Sequence, residues 1–297
     1  MQKIDKIVLG DNQFFGINHM SQEKAQQLAE KFYDINNIYK VYDIAYSNGI
    51  KSFFLNTNDR ATEICNYFRE NKNKYHDIYF YASIPYPYKY ANMVAEKGII
   101  GSINEILLKN NTIGGTVGMM LKGGLSVISK DAIKLMQILI DMEMKMFKGL
   151  NVKVIFLQNI ITDLLLGYNI KEVFVEYTNY IKKRYNAIPG LITQNLPWTL
   201  NKMNEWNIKE ITLCFSFNKI GYLMSPDITS YLEAIENNNS NNYQLMAMST
   251  LASGAIPPNE AYQFLENKNI QSVVFGASSK KHIIETKEII NKYIINR

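Results

Sequence analysis

Eight short apolar runs that alternate with stretches of helical periodicity restrict this 297-residue chain to very few folds. The runs have the length and composition of buried strands, and they lie at Lys6–Leu9, Ser52–Leu55, Ile78–Ala82, Val152–Leu157, Gly190–Thr193, Ile211–Phe215, Leu245–Met248 and Ser272–Phe275. Apolar residues at helical spacing separate most of them, at Gln22–Tyr33, Arg60–Glu70, Lys130–Phe147, Ile170–Arg184, Leu200–Trp206 and Lys281–Tyr293. This order predicts a single-domain α/β fold, the (β/α)8 TIM barrel, with its active site at the carboxyl ends of the strands.

The exception to the even spacing is the interval 85–130, between the third and fourth strands. It is much longer than a usual connection with one helix, and it contains the glycine-rich run TIGGTVGMMLKGG. That run has neither the phosphate-loop pattern nor the dinucleotide-fold pattern of glycines. We therefore expect an insertion that serves as a flexible connection or as a lid over the barrel mouth, with phosphate contact through Lys122 as the alternative.

Composition and charge exclude several classes of protein. The chain has 32 Lys and Arg against 27 Asp and Glu, a net charge of +5, without a basic run of the kind that tracks nucleic acid. We expect a small-molecule partner, anionic or polyhydroxylated, and neither nucleic acid nor membrane. Cys65 and Cys214 lack metal-ligand spacing, so no disulfide scaffold or zinc cluster is predicted. No signal-peptide core and no run of about 18 apolar residues occurs, which predicts a cytoplasmic protein.

Small residues follow the last two predicted strands, and each small-residue loop leads into a helix. Gly276-Ala277-Ser278-Ser279 comes directly after the eighth strand. Small side chains let a ligand approach backbone N–H groups, and the N-terminus of a helix attracts an anion. The segment therefore predicts a phosphate-binding rim, with a helix cap that binds nothing as the structural alternative.

Residues 244–288 resemble the last quarter of an aldo-keto reductase barrel. In that family the seventh strand ends in a Ser-Pro-Leu-Ala-type turn and the eighth in Gly-Ala-Ser-Ser, and this chain has Ser249-Thr250-Leu251-Ala252 and Gly276–Ser279. The resemblance implies an aldo-keto reductase-like barrel whose loops hold the pyrophosphate and the phosphorylated adenosine of NADP or NAD. The cofactor-binding residues that it implies here are Ser249, Leu251, Gly276, Ala277, Ser278, Ser279, Lys280, Lys281 and Glu285.

The resemblance extends to the strands that hold the nicotinamide end of the cofactor in that family. Gln194-Asn195 matches the Ser-Asn pair after the fifth strand, so Asn195 is retained. Cys214 stands where the sixth strand carries a glutamine, and Met248 stands where a tyrosine stacks on the nicotinamide ring. A thiol cannot donate and accept hydrogen bonds as an amide does. Gln194 and Asn195 are therefore the residues expected to bind this end.

The catalytic tetrad of the family, a Tyr tuned by Lys, Asp and His, is absent from the matching positions. Asn56-Thr57-Asn58-Asp59 replaces the Asp-Thr-Ala and following tyrosine of the second strand. Ser83 stands in the region of the lysine, and Gln158 replaces the histidine. Hydride delivery to a carbonyl leaves an alkoxide that needs a proton. A redox role therefore requires a different proton-transfer set.

Other residues of the rim are candidates for that set. Asp11 and His19 could pair as acid and base, with a turn or cap role for Asp11 and a surface position for His19 as alternatives. Asp59 could cap a helix or contact the substrate, and Arg60 could bind a carboxylate or phosphate. The catalytic candidates are Asp11, His19, Asn56, Asp59, Arg60 and Gln158.

Two functions of different class remain open from the sequence. The first is an NAD(P)-linked oxidoreductase of aldo-keto type, with a non-standard active site, acting on a small polar carbonyl compound such as a sugar derivative. The second is a non-redox barrel enzyme or binding protein for a nucleotide, nucleotide sugar or sugar phosphate. The Gly276–Ser279 loop favours the first, and the missing tetrad favours the second.

Overall fold

Eight parallel strands form a closed barrel in the computed structural model, which describes residues 2–17, 21–85 and 130–295. The strands are β1 Ile7–Leu9, β2 Ser52–Asn56, β3 Tyr79–Ile84, β4 Val152–Leu157, β5 Ile188–Thr193, β6 Ile211–Ser216, β7 Tyr243–Met248 and β8 Ser272–Phe275. Each strand pairs with its neighbours in sequence, and β8 closes on β1. The predicted TIM barrel is confirmed, and every predicted strand is present within two residues of its predicted ends.

Helices follow the strands along the chain. Those in the described residues are α1 Gln22–Lys31, α2 Ile35–Ser47, α3 Ala61–Glu70, α4 Lys130–Met144, α5 Asn159–Gly167, α6 Lys171–Tyr185, α7 Leu196–Glu205, α8 Ile228–Glu236, α9 Pro258–Phe264 and α10 Lys280–Ile290. Side chains of Ser21, Asp34 and Asp227 accept backbone N–H bonds at the starts of α1, α2 and α8. In the part of the chain that the structure describes, no helix combines the length and apolar character needed to cross a bilayer.

The connection between β3 and β4 is the longest in the barrel, from residue 85 to residue 151. Its described part holds α4 and a 3₁₀ turn at Lys145–Phe147, which together match the predicted helix. The predicted insertion is confirmed. Residues 86–129, with Lys122, lie outside the described residues, so the lid interpretation stays a prediction.

The barrel interior is filled by side chains from alternate positions of the strands. Members of this cluster include Val8, Phe54, Tyr81, Val154, Phe156, Ile192, Cys214 and Met246. Gly190 makes room for the Phe156 ring, because a Cβ at Gly190 would lie 2.3 Å from it. The interior is therefore a packed core that leaves no room for a ligand among the described strands, and in barrels of this kind ligands bind at the strand ends.

The N-terminal segment closes the amino end of the barrel. The Asp5 carboxylate accepts hydrogen bonds from the Tyr81 hydroxyl at 2.8 Å and from the Lys153 ammonium at 2.9 Å. The Ile4 N–H donates to the Gln244 side chain at 2.8 Å. These residues close the amino end of the barrel, so the carboxyl end, called the mouth below, is where a ligand would be expected.

The shortest strand, β1, gives the barrel an uneven seam. Its three residues all have register partners on β8, whereas Leu9 and Phe53 form the single partner pair between β1 and β2. By contrast, β2 and β3 share five partner pairs. Contact between the chain segments of β1 and β2 is continued beyond the sheet by side chains at the mouth.

Candidate active site at the barrel mouth

Four polar side chains from the ends of the first four strands form one hydrogen-bonded network. The Asp11 carboxylate accepts from the backbone N–H and from the side-chain amide of Asn56, each at 2.7 Å. Asn56 Oδ1 accepts from the Gln158 amide at 2.7 Å, and the same Gln158 nitrogen donates to Ser83 Oγ at 2.6 Å. The fold thus brings together the predicted residues Asp11, Asn56 and Gln158, and Ser83 joins them.

Asp11 is buried, with 1% of its surface exposed. Burial raises the pKa of its carboxyl to about 6, and the hydrogen bonds from Asn56 limit the rise. The ionised form can only accept hydrogen bonds, which orients the Asn56 amide with its nitrogen toward Asp11. Asp11 is the N-cap residue of the 3₁₀ turn Asn12–Phe15 and its carbonyl accepts from the Phe14 N–H at 2.8 Å, but its side chain makes no cap hydrogen bond there. His19 lies outside the described residues.

Asp59 and Arg60 lie in the turn between β2 and α3. No side-chain cap hydrogen bond forms at the start of α3, and Asp59 is exposed; within the turn, Asn58 Oδ1 accepts from the Arg60 N–H at 3.0 Å. The Arg60 guanidinium donates to the Phe32 carbonyl at 2.5 Å, at the C-terminal end of α1, and lies 3.7 Å from the Glu63 carboxylate. Only one guanidinium hydrogen bond is formed among the described residues, so an anion at Arg60 could bind beside these contacts and would compete mainly with Glu63.

A carboxylate that the sequence reasoning missed fixes the turn after β5. Asp163 of α5 accepts from the Thr193 hydroxyl at 2.6 Å and from the Gln194 N–H at 3.0 Å. Burial raises the pKa of the Asp163 carboxyl, and these two bonds oppose the rise. Asn195 caps α7, its Oδ1 accepting from the Trp198 N–H at 3.1 Å. The sequence did contain one signal of this role: Asp163 is a single acidic residue in an otherwise apolar stretch shortly after a strand.

The ends of β6 and β7 offer less polar chemistry. Cys214 is fully buried in the barrel interior, and burial raises the pKa of its thiol, which is therefore neutral. Met248 is half-buried and is the register partner of Ser216, whose buried hydroxyl has no hydrogen-bond partner among the described residues. Within residues 2–17, 21–85 and 130–295, no group of three or more His, Cys, Asp or Glu side chains could hold a metal ion.

The loop after β7 turns sharply at its first residue. Ser249 has a φ of 53°, in the left-handed region, and its carbonyl accepts from the Asn218 amide at 3.3 Å. Leu251 is half-buried and packs against Ala252, Ile256 and Ala261. The Leu251 side chain therefore stabilises the loop itself, whatever contact its backbone makes with a ligand.

The loop after β8 meets side chains from the first loop and from α1. A Cβ on Gly276 would lie 2.7 Å from Gln13 Oε1, and the Gln13 amide donates to the Gly10 carbonyl at 2.6 Å. Lys31 of α1 donates to the Ser278 carbonyl at 2.6 Å. Gly276 thus accommodates a side chain of the protein itself, and Lys31 adds positive charge to the predicted phosphate rim.

The start of α10 has the features of a capped helix with cations nearby. Ser279 is its N-cap, and Ser279 Oγ accepts from the His282 N–H at 3.3 Å. Lys280 and Lys281 are exposed, and Lys281 lies 3.8 Å from the Glu285 carboxylate. The first turn of a helix leaves N–H groups without intrahelical partners, so this end of the mouth has donors and charge suited to an anion. Ala277 is buried beneath it.

Solved structures share this architecture, although no protein-family profile and no curated protein matches the chain. A Pseudomonas aeruginosa protein assigned to the aldo-keto reductases matches with a TM-score of 0.61 at 10% identity, over 98% of this chain and 91% of its own. An aldo-keto reductase from a Medee basin deep-sea metagenome library matches with 0.55 at 11%, over 100% and 93%. The Bombyx mori aldo-keto reductase, solved in complex with NADP, matches with 0.50 at 10%, over 99% and 90%.

The fold is that of the aldo-keto reductases. Within the aldo-keto reductase fold, the mouth of this chain has a distinctive chemistry. Asn56, Ser83 and Gln158 lie at the ends of β2, β3 and β4, where the resemblance places an acid, a lysine and a histidine. Two amides and a hydroxyl, anchored on a buried carboxyl, therefore replace the ionisable groups that the family carries there.

Proposed function

We propose that the protein is an aldo-keto reductase-like oxidoreductase that uses NADP or NAD to reduce a small polar carbonyl compound such as a sugar derivative. The observation that carries the proposal is the aldo-keto reductase barrel with the Asp11–Asn56–Gln158–Ser83 network at its mouth. Similar structures include a protein assigned as a 2,5-diketo-D-gluconic acid reductase, with a TM-score of 0.56 at 9% identity. That likeness supports a polyhydroxylated carbonyl substrate.

The β8 end of the mouth fits the phosphates of a dinucleotide. Lys31, Lys280 and Lys281 supply positive charge, and the start of α10 supplies backbone donors. The Gln13 contact with Gly276 involves the end of a flexible side chain, which a ligand can displace. When bound, the cofactor would supply the hydride that reduces the carbonyl carbon.

The nicotinamide end fits less closely, since Cys214 is buried and has no amide to offer. We assign the carboxamide contacts to Gln194 and Asn195. Gln194 is half-buried at the mouth end of β5. Asn195 uses its side-chain oxygen as the cap of α7, which leaves its amide nitrogen for a ligand.

Asn56 is the residue that we assign to the substrate oxygen. It is half-buried, whereas Asp11, Ser83 and Gln158 are buried. The Gln158 nitrogen directs its two N–H groups to Asn56 and Ser83, while the Asn56 nitrogen directs one to Asp11. The second N–H of Asn56 can therefore donate to a carbonyl oxygen and stabilise the negative charge that develops there.

Asp11 acts in this proposal as a positioning residue rather than as half of an acid–base pair. Its carboxyl is buried, and both of its oxygens accept from Asn56. It therefore holds the Asn56 amide in the orientation that presents an N–H to the mouth. The alkoxide left on the substrate takes its proton from water at the open end of the barrel.

Titration of the purified protein with NADPH and NADH, followed by fluorescence and calorimetry, tests the proposal together with turnover of a panel of carbonyl compounds. We expect binding of at least one reduced dinucleotide and carbonyl-dependent oxidation of it. Asn56→Ala should lower kcat by about 100-fold, whereas Asn58→Ala, in the same turn, should retain it. Affinity for a nucleotide sugar or sugar phosphate without affinity for either dinucleotide would instead establish the non-redox function.

A further inference from the structure

We infer that Asp163 is a positioning residue that fixes the turn carrying Gln194 and Asn195, so that this turn can hold the nicotinamide half of the cofactor. The inference rests on the proposed function and goes beyond it, because Asp163 lies on α5 and not on the strands that form the mouth. No residue pattern of the β5 segment itself points to this carboxylate.

The two oxygens of Asp163 engage two consecutive residues of the turn. Oδ1 accepts from the Thr193 hydroxyl at 2.6 Å, and Oδ2 accepts from the Gln194 N–H at 3.0 Å. Thr193 Oγ1 also accepts from the Asn195 N–H at 2.9 Å and contacts the Thr199 hydroxyl at 3.0 Å. Asp163 therefore controls the backbone of Gln194 directly and that of Asn195 through one intervening hydroxyl.

The opposite side of the turn is fixed as well. The Gln194 carbonyl accepts from the Ser225 N–H at 2.9 Å and from the Tyr231 hydroxyl at 2.7 Å. With its N–H and its carbonyl both engaged by protein groups, the Gln194 backbone is immobilised. The Gln194 side chain is then the part of the residue that serves a ligand.

By the parity of β5, which ends one residue earlier, we assign that side chain to the side of the turn that faces the barrel axis. Ile188 and Ile192 of β5 belong to the barrel-interior cluster, and Gln194 is the next residue of the same parity. A ligand group above the packed interior would therefore meet Gln194. Removing Asp163 frees the turn to rotate and costs preorganisation of that contact.

The test compares a whole dinucleotide with its adenine half. In Asp163→Ala we expect the affinity for NADPH, measured by calorimetry, to fall about 10-fold, and the affinity for 2′,5′-ADP to stay within about twofold. Asp163→Asn should lose less NADPH affinity than Asp163→Ala, because its one side-chain oxygen can still accept a hydrogen bond. Asp141→Asn is the matched control, since Asp141 accepts from the Tyr180 hydroxyl in the same way but on α4. It should bind both ligands as the unaltered protein does.

Each outcome decides between the inference and its failure. A selective loss of NADPH affinity in the Asp163 variants supports the inference. Equal losses for both ligands, or no loss in a variant with an unchanged near-ultraviolet spectrum, overturn it while leaving the proposed function intact. If Asp163→Ala does not fold, Asp163→Asn alone carries the same comparison. Failure of the unaltered protein to bind NADPH overturns the proposed function, and this inference with it.

Discussion

At the scale of single residues, the mouth is organised around one buried carboxyl group. Asp11 has 1% of its surface exposed, and Asn56 supplies both hydrogen bonds that oppose the cost of its charge. Its pKa is raised to about 6, so its charge changes within the range in which many proteins operate. Protonation of Asp11 would add an O–H donor to the carboxyl and leave an oxygen that can still accept from Asn56.

The raised pKa of Asp11 predicts a specific dependence of stability on pH. The folded state binds this proton up to about pH 6 and the unfolded state only up to about pH 3.8. The free energy of unfolding should therefore fall as the pH rises between these values, by roughly 3 kcal/mol from this group. Urea unfolding at several pH values should show that Asp11→Asn loses this slope. The exposed Asp59 provides the control, and an equal slope change in Asp59→Asn would contradict the assignment.

At the scale of elements, the strands could be predicted because each is a short apolar run with clear limits. The helix α5 was not among the predicted helices because its nine residues are apolar almost throughout, as a buried strand would be, and α9 is only seven residues long. The helix α2 buries Ile38, Val41, Tyr42 and Ala45 at helical spacing, so that signal was present in the sequence.

The sequence allowed prediction of those site residues that lie at the ends of strands, and not of the others. Asp11, Asn56 and Gln158 each follow a strand, and adjacent parallel strands end at the same edge. The contact of Asp163 with Gln194 joins a helix to the turn after the next strand. Such a contact depends on packing in three dimensions, which no spacing along the chain encodes.

The packing of β4 against β5 leads to a prediction at this scale. A methyl group on Gly190 would lie 2.3 Å from the Phe156 ring inside the barrel. We expect Gly190→Ala to lower the free energy of unfolding by about 1–3 kcal/mol, measured by urea denaturation. Gly167→Ala should be close to neutral, since nothing lies within 4 Å of a Cβ there. Combining Gly190→Ala with Phe156→Leu should recover part of the loss, and strictly additive effects would speak against the clash.

At the scale of the whole molecule, the two ends of the barrel have separate tasks. The floor is held by Asp5, Tyr81 and Lys153, and the mouth carries the polar network and the cationic rim. In barrels of this architecture the carboxyl end carries the chemistry and the amino end contributes stability.

That division predicts the behaviour of an Asp5 variant. Asp5→Ala leaves the Lys153 ammonium, whose side chain is only 10% exposed, without its carboxylate. The free energy of unfolding should fall by about 3 kcal/mol, while the affinity for NADPH should stay unchanged. Asp77→Ala removes a more exposed pair with Lys51 and should cost much less than Asp5→Ala does. A loss of NADPH affinity in an Asp5→Ala protein that is fully folded would show that the two ends of the barrel are coupled.

The single partner pair between β1 and β2 has a consequence for how the barrel opens. Leu9 and Phe53 are the last sheet contact across that seam, and the two hydrogen bonds from Asn56 to Asp11 span the same gap just above them. The Asn56 side chain, which we propose binds the substrate oxygen, is thus also a contact across the seam that has the fewest partner pairs in the barrel. The buried Asp11 carboxyl keeps its proton up to about pH 6 only while this contact is closed, so raising the pH from about 3.8 to about 6 should loosen the contact. Amide protection at the ends of β1 and β2, corrected for the intrinsic exchange rate, should fall over that interval before the rest of the sheet responds.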